Sequence, residues 1–123
     1  MILVIDINKG IQVQTAECIV VGELLFCADS IIVALNKMDL HLPDATDVEK
    51  EAGLAKKITF FRDKVFAKTI FGKDVPMIPV SAAPRAPGEG DNEGAEVLPP
   101  LGMDNLISAL LQNLKIPKRY LRK

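Results

Sequence analysis

The sequence predicts an α/β fold: a doubly wound parallel sheet of three strands with flanking helices. Three observations point there. Short aliphatic runs at Ile2–Ile7, Ile31–Leu35 and Pro76–Val80 suit strands buried on both faces of a parallel sheet. Helical patterns separate those runs, which is the alternation that right-handed crossovers require. The second run passes straight into Asn36-Lys37-Met38-Asp39, and open parallel sheets bind their ligands beyond the carboxyl ends of the strands.

Each element has its own local reason. After the first strand, Thr15 can cap a helix reaching about Ala28, with Ile19, Val20, Glu23, Leu24 and Cys27 along adjoining faces. Gly22 inside it costs about 1 kcal/mol against Ala, so a close packing contact is expected there. The second helix starts at Thr46 and Glu49, at capping-box spacing after the Pro43-Asp44 turn. Leu54, Ile58, Phe61 and Val65 follow at three-to-four spacing, with Ile70 and Phe71 closing the pattern and lysines 56, 57, 64 and 68 on the solvated faces. Residues 84–102 change character: proline and glycine alternate with Glu89, Asp91, Glu93 and Glu96, which reads as a flexible acidic loop. A last helix begins near Asp104, with Leu106, Ile107, Leu110, Leu111 and Leu114 as its inward stripe.

Composition narrows the function classes. A chain of 123 residues is one domain at most, and 49% hydrophobic residues suffice for a core. A net charge of -1 and a pI near 5.8 give no broad field for nucleic acid. Cys18 and Cys27 are too few for a disulfide framework or a zinc knuckle; they read as reduced thiols used in packing. Met1–Ile5 is apolar but has no basic segment before it, and the apolar stretch from Ala16 to Ala28 is too short to span a bilayer. A cytoplasmic protein without a membrane partner is the expectation.

The tetrad matches one ligand by its chemistry. Guanine presents N1–H beside an exocyclic amine, and the ionised carboxylate of Asp39 can accept from both in a charge-assisted pair. Adenine has an acceptor at N1 and leaves that carboxylate without a proton to accept. Asn36 can donate toward the N7 side of the base and tie neighbouring loops together. The stem of Lys37 can lie along the ring face with its ammonium in solvent. Asn-Lys-x-Asp alone is a weak signal. Its place at a strand end strengthens it, and so does Ser81-Ala82 at the end of the third strand, where backbone N–H groups can reach the guanine O6.

These motifs resemble the base-recognition half of a GTPase G domain. "VIDINKG" at 4–10 and "VQTAEC" at 13–18 are similar to the translational GTPases. Ala16-Glu17-Cys18 after Gln14-Thr15, with the Pro/Gly/acidic insertion, is most similar to the eukaryotic selenocysteine-specific elongation factor group. The resemblance covers residues 1–117, and the basic tail 118–123 departs from it. It implies the carboxyl-terminal half of a partial P-loop (Ras-like) GTP-binding domain that takes GTP or GDP, with magnesium in the complete domain. Asn36, Lys37, Asp39, Ser81 and Ala82 would be the guanine-binding residues. Selenocysteinyl-tRNA and the ribosome would be partners through further domains.

The phosphate side has no counterpart in the 123 residues. G-x-x-x-x-G-K-[ST] does not occur, nor does Asp-x-x-Gly followed by His, so magnesium ligands and a positioned water are not expected from this sequence. No catalytic residue is assigned, and the chain alone is not expected to hydrolyse GTP. Base contacts gross about 3–6 kcal/mol against an association cost of at least about 4, which makes nucleotide binding millimolar or weaker. Ile2–Ile7 is expected to leave an unpaired apolar edge, giving marginal stability or aggregation. Met1 reads as an internal methionine of a longer protein, from a partial gene model or a truncated isoform, with a P-loop expected upstream. The alternative function is a non-enzymatic remnant that only binds a protein partner. Of the smaller features, His41 reads as a solvated loop residue, Asp6 as a strand-end acid capping the next turn, and the basic tail as a solvated chain end.

Overall fold

The computed structural model describes residues 1–42, 44–84 and 98–114. Its elements run β1 (Ile2–Asp6), α1 (Val13–Leu25), β2 (Ile32–Asn36), α2 (Asp47–Lys64), β3 (Met77–Pro79) and α3 (Met103–Asn113). Single 3₁₀ turns follow β2 at Met38–Leu40 and α2 at Phe66–Lys68. All three strands are parallel in the order β1-β2-β3, with Ile2 opposite Ile32, Asp6 opposite Asn36 and Leu35 opposite Pro79. The α/β class and the parallel sheet expected from the sequence are therefore present.

Two right-handed crossovers taken in one direction place both intervening helices on one face of a sheet. The core agrees: Leu3, Ile5, Val33, Leu35 and Met77 meet Ile19 of α1 and Phe61 of α2, with Leu54 and Ile58 packed against them. The third helix lies over the other face, on β2 and β3. β2 is the most fully covered strand, with Ile32, Val33, Ala34 and Leu35 all buried. The first strand instead alternates, Leu3 and Ile5 buried and Ile2 and Val4 exposed, because no described element covers its second face. Burial on both faces was expected for all three strands; β1 departs from it.

The helices differ from expectation in instructive ways. The first starts at Val13, not after Thr15, and Gln12 makes no side-chain cap. The chain is delivered by the Asp6–Gly10 turn, where the Gly10 amide donates to the Asp6 carbonyl at 2.9 Å and Gly10 adopts a left-handed φ of 73°. Ile19 and Gly22 are its buried residues, while Val20, Leu24 and Cys27 are exposed, as is Cys18. The cysteines are therefore not packing residues. Gly22 does have a close contact, since a Cβ there would fall 2.5 Å from Met1 Cε and 3.2 Å from the ring of Phe71.

The capping box of α2 forms as expected: the Thr46 amide donates to Glu49 Oε2 at 2.8 Å and the Glu49 amide returns to Thr46 Oγ1 at 3.4 Å. The helix stops at Lys64, so Ile70 and Phe71 lie beyond it, Ile70 exposed and Phe71 buried. In α3 the residue pressed on the sheet is Ala109; Leu106 and Leu110 are half-buried and Ile107, Leu111 and Leu114 are exposed. The leucine stripe is thus not an inward one. The helix lies over β2 and β3 on its smallest residue, and the flank of β1 that the leucines would cover carries no described element. The acidic segment 85–97 and the basic tail 118–123 lie outside the described residues, as does Pro43. No helix among the described residues is long and apolar enough to cross a membrane.

Candidate functional site

The carboxyl ends of β2 and β3 enclose a cleft of about 240 Å³, lined by Asn36, Lys37, Asp39, Leu40, Ser81, Ala82 and Ala83. All five residues singled out in the sequence are brought together here. The backbone builds the cleft first. The sheet continues past its strands, with the Val80 amide donating to the Leu35 carbonyl at 2.8 Å and the Met38 amide to the Val80 carbonyl at 3.2 Å. Lys37 then turns the chain with a left-handed φ of 64° and ψ of 38°, a conformation that costs a residue with a Cβ about 1–2 kcal/mol. The turn is held in place by the Leu40 amide, which donates to the Lys37 carbonyl at 3.2 Å. That carbonyl also accepts from Asn8 Nδ2 at 3.3 Å.

Each polar side chain of the tetrad ties one strand end to another. Asp39 Oδ1 accepts from Ser81 Oγ at 2.5 Å, and Ser81 is 2% exposed. Ser81 is itself fixed by paired backbone bonds with Leu101, each 2.9 Å long, next to Gly102 in a left-handed turn. Asn36 Oδ1 accepts from the Ala82 amide at 3.2 Å. Lys37 Nζ lies 3.3 Å from Asp6 Oδ2. The other oxygen of Asp6 accepts from the amides of Asn8 at 2.9 Å and Lys9 at 3.2 Å, so the turn-capping role expected of Asp6 is present. Partial burial pushes the Asp6 carboxyl up, but the two amide bonds and the Lys37 ammonium outweigh it and hold the carboxyl below its ordinary range.

The geometry refines the expected roles. The Ser81 N–H is committed to Leu101, and Ser81 meets Asp39 through its hydroxyl. The Ala82 N–H faces Asn36, whose side chain therefore joins the loops as expected. His41 is not a solvated loop residue. It is half-buried, its Nδ1 lies 3.2 Å from Asn8 Oδ1, and its Nε2 is buried without a partner beside Gly53. Three participants were missed from the sequence: Asn8, Leu101 and the second role of Asp6. The signal for the last was available in part, because aligning β1 with β2 places Asp6 opposite Asn36, beside the tetrad. Among the described residues no three His, Cys, Asp or Glu side chains converge on a point a metal could occupy.

Comparison with known proteins agrees with these motifs. Residues 1–116 match the family model of the elongation factor Tu GTP binding domain. Over 119 residues the chain is 36% identical to the selenocysteine-specific elongation factor of Mus musculus, an alignment covering 97% of this chain and 18% of that protein. The chain thus spans about a fifth of the length of the relative it matches. With its strand-end Asn-Lys-Met-Asp and Ser-Ala converging on one cleft, the chain belongs to the family of elongation factor Tu GTP-binding domains.

Proposed function

We propose that this chain supplies the guanine-recognition part of a translational GTPase of the selenocysteine-specific type. The observation that carries the reading is the meeting of Asp39, Asn36 and Ser81-Ala82 in one cleft, with the Asp39 carboxylate oriented by a buried hydroxyl. A carboxylate so held accepts from guanine N1–H and the exocyclic amine together; each oxygen has a second lone pair, so the Ser81 bond does not block it. The Ala82 amide, whose bond to Asn36 is 3.2 Å long, is the donor for O6 and shares its proton between the two acceptors. Asn36 orients that loop, and the Lys37 stem flanks the base.

The phosphate cradle and the hydrolytic water require motifs that do not occur in these 123 residues, so GTP or GDP binding by this chain rests on its base contacts. Catalysis, magnesium binding and delivery of selenocysteinyl-tRNA to the ribosome in the cytoplasm belong to the larger protein that the resemblance implies. Asp39→Asn tests the base assignment in that full-length protein. Asparagine offers a donor where aspartate only accepts, so selectivity moves from guanine toward xanthine nucleotides; unchanged guanine selectivity refutes the role given to Asp39.

A second reading, a protein-interaction module without nucleotide, is favoured by the exposed apolar residues Ile2 and Val4 of β1 and Leu24 of α1. Titrating guanosine against adenosine separates the two readings, because a module without base recognition discriminates neither.

A further inference from the structure

Behind the cleft, the turn after β1 carries a side-chain network that meets the cleft wall at Lys37, while the Ile7 amide donates to the Asn36 carbonyl at 3.0 Å. Asp6 divides its carboxylate, Oδ1 holding the turn at Asn8 and Lys9 and Oδ2 facing Lys37 Nζ at 3.3 Å. Asn8 donates from Nδ2 to the Lys37 carbonyl, which fixes the direction of its amide and turns Oδ1 toward His41 Nδ1. Both ends of Lys37, ammonium and carbonyl, are therefore held from the same loop.

We infer that Asp6 is a positioning residue for base recognition: by anchoring the Lys37 ammonium, it keeps the lysine stem extended along the cleft wall where the face of the base rests. The inference builds on the guanine reading above. A free lysine side chain samples many rotamers and loses them when a ring packs on its stem; an anchored one has lost them before the ligand arrives. The Asp6 side chain does not line the cleft and reaches it through Lys37. The pair is partly open to solvent, 45% for the lysine side chain and 21% for the aspartate. Its contribution is therefore modest, about two- to fivefold in affinity.

Asp6→Asn isolates this contact, because an asparagine Oδ1 still accepts the Asn8 and Lys9 amides and preserves the turn while the anionic partner of Lys37 disappears. The ¹⁵N-labelled full chain is titrated with guanosine and with adenosine, nucleosides without phosphate, and the Lys37 and Ala82 amide shifts are followed. The wild-type chain is expected to prefer guanosine. Asp6→Asn is expected to weaken guanosine binding about two- to fivefold and to have no further effect in a Lys37→Met background. Unaltered guanosine affinity in Asp6→Asn overturns the positioning role alone, and so does an equal loss in both backgrounds, which would mark a general effect on the fold. A wild-type chain that does not discriminate the two nucleosides overturns the guanine reading and this inference with it. Should Asp6→Asn not fold, Lys37→Met by itself reports the contact from the other side, and guanosine binding at wild-type strength there overturns it.

Discussion

Ser81 and Val4 belong to the same small sheet and have opposite surroundings. Around Ser81 every strand end is tied to its neighbour: hydroxyl to Asp39, backbone to Leu101, Asn36 to Ala82, and Lys37 back to Asp6. Val4 is 59% exposed, Ile2 on the same strand is 48% exposed, and the outer edge of β1 has no strand partner among the described residues. The difference shows that the carboxyl ends of β2 and β3 are closed by contacts made within the described residues. The flank of β1 has apolar side chains that those residues do not cover. The polar ties that close the cleft and the bare apolar side chains of β1 are therefore different sets of residues.

That contrast can be broken at the closed end first. A methyl group on Gly102 would fall 2.4 Å from the Pro79 carbonyl oxygen, at a position whose φ is 73°. Gly102→Ala is expected to cost about 2–4 kcal/mol in urea unfolding, combining the left-handed penalty with the clash. It should also displace Ser81 from Asp39, seen as large amide shifts at both residues. A cost within experimental error would show that the Ser81–Leu101 bridge is not what holds the cleft.

A smaller effect sharpens the comparison through pH. The folded carboxyl of Asp6 titrates below the ordinary aspartate value of 3.8. Its contribution is thus complete above that value and is lost as pH falls through the folded pKa. The stability difference between wild type and Asp6→Asn should be complete at neutral pH and fade as pH falls below 3.8, measured by paired urea titrations. A difference that persists at low pH would assign the effect to the turn and not to the charge. The smallest change is expected at the exposed leucines of the helices. Leu24 and Leu111 are 78% and 72% exposed, so Leu24→Lys and Leu111→Lys should each alter stability by less than about 0.5 kcal/mol while raising solubility. Losses above about 1 kcal/mol would mean that something covers those side chains in solution.

Much of this architecture was legible in the residues, and the failures share a cause. Continuous aliphatic runs located all three strands to within a residue or two, Thr46 and Glu49 located the start of α2, and Asn36–Asp39 with Ser81-Ala82 located the cleft. Periodicity reports that a face is apolar and not what lies on it. The α3 leucines and the second face of β1 were therefore assigned to an interior that the described residues do not provide. The start of α1 was misplaced because a cap residue, Thr15, was visible in sequence, whereas the Asp6–Gly10 turn that sets the helix entry depends on two hydrogen bonds to one carboxylate oxygen. The ion pair of Asp6 with Lys37 needs the strand register, which only the folded sheet fixes.

The Leu98 amide donates to the Pro84 carbonyl at 2.8 Å, so the chain leaves the cleft and comes back to it at one point. With the paired Ser81–Leu101 bonds, this makes two backbone ties between the segment that follows β3 and the segment that leads into α3. A shift of the α3 entry is therefore passed to the Ser81-Ala82-Ala83 wall at two points, so α3 and the cleft wall move as one piece.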